Sequence, residues 1–127
     1  MTDELPIYDL LGEETLAAIV AAFYRRVPGD DVLGPMYPEH DLEGAEHRLR
    51  TFLVYRFGGP QIYLKERGHP RLRMRHVPFA IGRKERDAWV THMTAAVESA
   101  EDLDPAIATR LLDYFTMAAD HLINADT

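Results

Sequence analysis

The chain contains no cysteine. Disulfides, thiolate metal sites and thiol nucleophiles are therefore excluded. It also lacks any stretch approaching the roughly 20 apolar residues needed to cross a bilayer, so no membrane anchor is expected. Its first residues, Met1-Thr2-Asp3-Glu4, are acidic where a secretory signal is basic and then apolar. A cytoplasmic address follows as the expectation. Basic residues are outnumbered, 14 against 21, and the formal charge is −7. That balance favours solubility and argues against a general affinity for nucleic acid. No run alternates apolar and polar residues in the manner of a half-buried strand. A zinc-hydrolase HExxH motif is absent too.

What is present is helical periodicity. The 127 residues suit one domain spanning residues 1–127, long enough to bury a core and enclose a ligand cavity. Leu16, Ile19, Val20, Phe23, Tyr24 and Val27 recur at steps of three and four until Pro28-Gly29-Asp30 interrupts them. A second stripe, Leu42, Ala45, Leu49, Phe52, Leu53 and Phe57, follows Asp41, a favourable N-cap, and stops at Gly58-Gly59-Pro60. A third runs through Trp89, Met93, Ala96, Val97 and Ala100. The fourth opens at Asp104-Pro105 and carries Ile107, Leu111, Leu112, Phe115, Ala118, Ala119 and Leu122. The predicted fold is all-α, dominated by these four segments. Residues 28–41 read as turns. Residues 58–82 are too long for an unstructured connection and read as a loop leading into one short helix near Pro70–His76.

Two features ask for chemistry. Six histidines are present: His40, His47, His69, His76, His92 and His121. His40 and His47 are seven apart, as are His69 and His76, but Pro70 interrupts the second pair. A metal site built from histidines that the fold brings together stays open at this point. The second feature is a basic segment. Eight of the 14 cationic residues lie between Lys65 and Arg86, which implies a local anionic partner or a solvated face.

The run Arg67-Gly68-His69-Pro70-Arg71-Leu72-Arg73-Met74-Arg75-His76, followed by Val77-Pro78-Phe79, resembles the proximal haem segment of the group II truncated haemoglobins. The resemblance extends over nearly the whole chain. Phe23-Tyr24, Met36-Tyr37-Pro38-Glu39, Asp41 to Glu46, Phe57-Gly58-Gly59-Pro60 and Glu85-Arg86-Asp87-Ala88-Trp89 match in order. Two positions depart from the family pattern: Phe57 replaces a tryptophan often found before Gly-Gly-Pro, and Leu11-Gly12 stands where Gly-Gly is common.

The resemblance implies a globin-like fold, the shortened two-over-two helical sandwich enclosing haem b. It implies His76 as the single protein ligand of the iron, and Tyr24, Tyr37 and Trp89 as polar groups on the distal side. Such donors stabilise the partial negative charge that dioxygen acquires on binding. Ala45 takes the place where many globins have a distal histidine or glutamine, and Leu49 forms apolar wall. The haem propionates call for cations and hydroxyls at the rim, with Arg48 first and Arg75 and Tyr63 next. Apolar contacts are expected from Phe52, Leu53, Leu72, Val77, Phe79, Met93 and Met117. His69 is expected to be structural.

The implied function is reversible binding of dioxygen, carbon monoxide and nitric oxide, tight and slow to release. The alternative is a haem enzyme, peroxidase-like or a nitric oxide dioxygenase, served by a reductase. A cofactor-free helical interaction module is the remote third reading, and it predicts a colourless protein. A monomer or weak homodimer is expected, since no heptad or large apolar face demands assembly.

Overall fold

The computed structural model describes residues 6–38 and 40–125. Among these residues every regular element is helical, and there is no strand. The helices are α1 (Ile7–Leu11), α2 (Glu13–Arg26), α3 (Leu42–Arg56), α4 (Ile62–Arg67), α5 (Leu72–Arg75), α6 (Arg83–Glu98) and α7 (Pro105–His121), with 3-10 turns at Val27–Gly29 and Gly34–Met36.

The helix ends follow local chemistry. The Asp41 carboxylate accepts the Gly44 N–H at 3.1 Å, and Asp104 accepts the Ala106 N–H at 2.8 Å with Pro105 at the first helical position. At the start of α6 the Glu85 side chain reaches back to the Gly82 N–H at 2.8 Å. Each such cap satisfies an otherwise orphaned donor and contributes about 1 kcal/mol. In α2, Glu13 and Glu14 occupy the first turn and Arg25 and Arg26 the last, matching the helix dipole at both ends.

Four long helices make two pairs. Helix α2 packs on α3, α6 packs on α7, and α2 also crosses α6. This is the two-over-two sandwich expected of the sequence. The stripes read from periodicity form its core: Leu16, Ile19, Val20 and Phe23 on α2, Leu53 on α3, Met93 and Val97 on α6, Leu111 and Phe115 on α7 are all essentially inaccessible. Burying each such side chain contributes about 1.5–3 kcal/mol.

The region 58–82 differs from expectation. It holds two short helices rather than one, because Ile62–Arg67 forms α4 against α3. The later helix begins at Leu72, not at Pro70, since Arg71 turns the chain through a left-handed conformation with φ 42°. His69 supports that turn by accepting the Arg71 N–H on Nδ1 at 3.2 Å. Helix α1 was likewise not apparent from periodicity, being a little over one turn long. It is fastened by the Tyr8 N–H to the Phe57 carbonyl at 3.0 Å.

The α3 terminus requires glycine. Gly58 has φ 99°, and a β-carbon there would approach the Pro6 side chain to 2.8 Å. Left-handed strain of this kind costs about 1–3 kcal/mol. Gly58→Ala is expected to lower stability by that amount, read as a lower urea midpoint at unchanged m-value. A midpoint equal to wild type would show that the N-terminal segment yields freely.

The turn between α2 and α3 is organised by Asp30. Its carboxylate accepts the Val32 and Leu33 N–H groups at 2.7 and 2.8 Å and pairs with His92 at 2.5 Å. The His92 hydrogen bond and then the Leu33 N–H hold its pKa down at about 2, against 3.8 for an unperturbed carboxyl. A depressed folded pKa stabilises the fold above the unfolded value and loses that contribution as pH falls through the folded one. Asp30→Asn should therefore be less stable than wild type at pH 7, with the gap closing between about pH 4 and pH 2. Chemical denaturation across that range measures it, and a pH-independent gap would count against the assignment.

Candidate functional site

Between the two helix pairs lies a largely apolar cavity of about 340 Å³, within the range of cofactor and ligand pockets. The proximal segment and the aromatic wall both face it. His76, Leu72, Arg75 and Phe79 line it from the segment after α4, Tyr24, Trp89 and Phe115 from the helix pairs, and Tyr37 from the turn that follows Gly34–Met36.

His76 ends α5. Its Nδ1 lies 2.7 Å from the Leu72 carbonyl, so Nδ1 carries the proton and donates it. That fixes the tautomer and leaves Nε2 with a lone pair, the form in which imidazole binds a metal. Carbonyl bonds immobilise the surrounding segment. The Asn124 amide donates to the His76 and Phe79 carbonyls at 3.3 and 3.0 Å, while its oxygen accepts the Ile81 N–H at 2.8 Å. Arg73 donates to the His121 carbonyl at 2.8 Å. Arg75 donates to the carbonyls of Pro70, Arg67 and His69 at 2.6, 2.8 and 3.2 Å. Arg75 thus braces its own loop as well as lining the cavity.

The facing wall is aromatic and polar together. Tyr24 and Tyr37 meet edge-on with centroids 5.6 Å apart, and Trp89 lies 5.6 Å from Phe23 and 5.7 Å from Phe115. The Tyr24 hydroxyl donates to the Ala45 carbonyl at 3.2 Å, so its proton is committed to backbone. Burial pushes Tyr37 up to about 12 and raises Tyr24 further, chiefly by desolvation. Trp89 and Tyr37 line the same cavity, and the indole, a donor only, lowers the Tyr37 pKa as a donor towards the phenol oxygen would. Both phenols are protonated donors at neutral pH.

The remaining expected residues divide. Ala45, Leu49, Phe52, Leu53 and Tyr63 line the cavity. Arg48 lines it too and makes only a long contact of 3.3 Å with Asp41, where both side chains are well exposed. Tyr63 is buried edge-on against Phe52, centroids 5.4 Å apart. Three residues expected to make apolar contacts lie off this lining. Met93 is fully buried in the helix core, and Val77 and Met117 are 71% and 56% exposed; none lines the cavity. Val77 follows the end of α5, where the chain turns outward, and Met117 occupies a solvent-facing position of α7.

Sequence reasoning missed several lining residues. Met36, Ile81 and Tyr114 belong to turns, connections or the flank of a stripe and Ala118 to the α7 stripe itself, where periodicity cannot separate wall from core. Among the described residues no group of three or more His, Cys, Asp or Glu side chains is placed to hold a metal ion, and no helix is long and apolar enough to cross a membrane. Of the other histidines, His47 pairs with Glu66 at 2.9 Å and His92 with Asp30.

Comparison with known proteins agrees with this geometry. The bacterial-like globin family profile matches residues 6–123. The group 2 truncated haemoglobin YjbI of Bacillus subtilis (strain 168) is 37% identical over 117 residues, which are 92% of this chain and 87% of that protein. The crystal structure of a thermostable haemoglobin from the actinobacterium Thermobifida fusca shares 48% identity at a TM-score of 0.89, covering 94% of this chain and 97% of that one. The truncated oxygen-avid haemoglobin from Bacillus subtilis shares 35% identity at a TM-score of 0.87, covering 94% and 99%. The chain belongs to the bacterial-like globins, as a truncated haemoglobin of group II.

Proposed function

We propose that this globin binds haem b through His76 and takes up dioxygen, carbon monoxide and nitric oxide reversibly on the side facing Tyr37 and Trp89. The observation that carries the reading is the fixed His76 tautomer, its Nδ1 spent on the Leu72 carbonyl, on a ring lining the same cavity as three aromatic donors. The cavity fits such a group. It is apolar through its body, as a porphyrin needs, and Arg48, Arg75 and Tyr63 on its lining are suited to propionates. When bound, haem supplies an iron atom with one open coordination position for a diatomic ligand.

The protein's own contribution on the distal side is a relay. Trp89 donates to Tyr37, whose proton is free for a ligand, while Tyr24 anchors to Ala45. A donor hydrogen-bonded in this way is polarised and strengthened. Ligand stabilisation therefore passes chiefly through Tyr37, which supports tight binding and slow release. The relative from Bacillus subtilis described as oxygen-avid agrees with that direction.

Binding is favoured over peroxide chemistry, which calls for a distal base. The carboxylate of Glu85, which lines the cavity, is held by the Gly82 N–H, and Ala45 offers none. A cytoplasmic location is part of the proposal, as is a reductant that returns the iron to the ferrous state. The cations of 65–86 that do not line the cavity, Arg71, Arg73, Arg83 and Lys84 among them, suit an acidic protein in that role.

Purified wild type is expected to show a Soret band, and His76→Ala is expected to lose the spectrum of a histidine-ligated iron. Equal haem affinity with an unchanged iron spectrum in the variant would remove His76 from the site. The relay orders the distal substitutions. Tyr37→Phe and Trp89→Phe should each speed oxygen dissociation about tenfold or more, equivalent to about 1.4 kcal/mol. Tyr24→Phe should change it less. Stopped-flow dissociation rates test the order, and a dominant Tyr24 effect would overturn it.

A further inference from the structure

Outside the cavity, Arg26, His92 and Asp30 form a continuous hydrogen-bonded chain. The Arg26 Nε donates to His92 Nδ1 at 2.9 Å. With Nδ1 accepting, the proton of the neutral ring sits on Nε2 and is donated to Asp30 at 2.5 Å. The other Asp30 oxygen accepts the Val32 and Leu33 N–H groups. The His92 and Asp30 side chains are only 14% and 19% exposed, so water competes weakly for the bond between them, unlike that of a surface pair, while the Arg26 bond lies at the surface.

The three residues stand on the three elements that carry the distal polar groups. Arg26 lies two residues after Tyr24 on α2. His92 lies one helical turn after Trp89 on α6. Asp30 anchors the turn that runs through Gly34–Met36 directly into Tyr37. None of the three lines the cavity. Each distal polar side chain thus has, on its own element, one member of a network that ties the elements together.

We propose that Arg26, His92 and Asp30 are positioning residues that set the spacing of Tyr24, Tyr37 and Trp89, and through it the rate of ligand release. Trp89 and Tyr37 line the cavity from α6 and from the end of the turn that Asp30 caps, and the bond from His92 to Asp30 joins that helix to that turn. A hydrogen bond weakens steeply as it lengthens or bends, so a small drift of the turn against α6 costs the relay its geometry. Supporting residues that fix donor orientation typically act in this indirect way. The charges are balanced, the Arg26 cation and the Asp30 anion lying on opposite edges of a neutral ring, so the clamp adds no net field to the cavity.

The proposal rests on the haem reading above, and the test separates the two. His92→Leu breaks both bonds. His92→Gln keeps an acceptor for Arg26 and a donor for Asp30. Arg26→Met, changed at an exposed position, removes one bond from outside and serves if His92→Leu fails to fold. For wild type and each variant, the measurements are haem uptake, oxygen dissociation rate, the carbon monoxide stretching band, and the fluorescence of the haem-free protein. Trp89 is the chain's one tryptophan, so that fluorescence reports its surroundings directly.

His92→Leu is expected to take up haem normally, release oxygen three- to tenfold faster, broaden the carbon monoxide band and shift the Trp89 emission. Arg26→Met should do the same to a smaller degree, and His92→Gln should return all three towards wild type. Variants that lose stability while keeping the oxygen rate within twofold and the band and emission unchanged would overturn the proposal, leaving a purely structural clamp. So would a His92→Gln variant as impaired as His92→Leu. A wild type that takes up no haem would sink the haem reading instead, and the Trp89 emission series would still decide whether the clamp positions that residue.

Discussion

A protein interior packs as densely as an organic crystal, and this chain must hold a cavity of about 340 Å³ open within 127 residues. Everything else in the structure answers to that constraint. Two helix pairs leave the space between them, and stiff side chains keep them from closing over it. Trp89 meets Phe23 at 5.6 Å in a tilted contact and Phe115 at 5.7 Å edge-on, a geometry aromatic quadrupoles favour. Phe57 and Tyr114 continue the series at 5.3 Å, with Arg56 stacked on the Tyr114 ring. Flat rings in T-shaped contact resist compression better than flexible aliphatic chains, which would repack into the void.

An open cavity also dictates what its polar groups do. Tyr24 spends its proton on the Ala45 carbonyl, and His76 spends Nδ1 on the Leu72 carbonyl. Among the described residues no buried side-chain nitrogen or oxygen is left without a partner. Capacity remains on the His76 Nε2 lone pair, on the Tyr37 proton and on the Arg48 and Tyr63 side chains of the lining. A phenol that burial keeps protonated and an imidazole whose Nδ1 proton is spent on a carbonyl are groups that an apolar pocket tolerates. The absence of a histidine or carboxylate at Ala45 belongs to the same logic.

Most of the fold was readable because its signals are local. Caps at Asp41 and Asp104, the stop at Gly58, and the stripes of α2, α3, α6 and α7 each depend on residues within one or two turns of one another. Helix α4 escaped because six residues between Pro60 and Gly68 are too few to display a period. The start of α5 escaped because a left-handed Arg71 is set by tertiary support, not by propensity. The candidate site was readable in a different way. His76, Tyr37 and Trp89 could be named only through the family resemblance, since an isolated histidine or aromatic carries no address. Val77, Met93 and Met117 show the limit of that route, because carrying over a position does not carry over the direction of its side chain. The chain through Arg26, His92 and Asp30 spans more than 60 residues, and nothing in the spacing of those residues announces it.

The two faces of the cavity are held by different physics, and the difference suits their tasks. The proximal segment has little core of its own: Met74, Val77 and Phe79 are largely exposed, and α5 is a single turn. Its position comes from directional bonds to carbonyls and amides, through Asn124, Arg73 and Arg75. Such bonds fix the orientation of the His76 ring, as the proposed role of metal ligand requires, and a few of them suffice. The distal wall instead rides on buried helices whose side chains interdigitate, and packing fixes distance better than it fixes direction. Direction there has to come from hydrogen bonds between elements, from Tyr24 to the Ala45 carbonyl at the cavity and from Arg26 through His92 to Asp30 outside it. A cavity held open by packing and aimed by hydrogen bonds needs both, because dispersion alone does not distinguish one rotation of a hydroxyl from another.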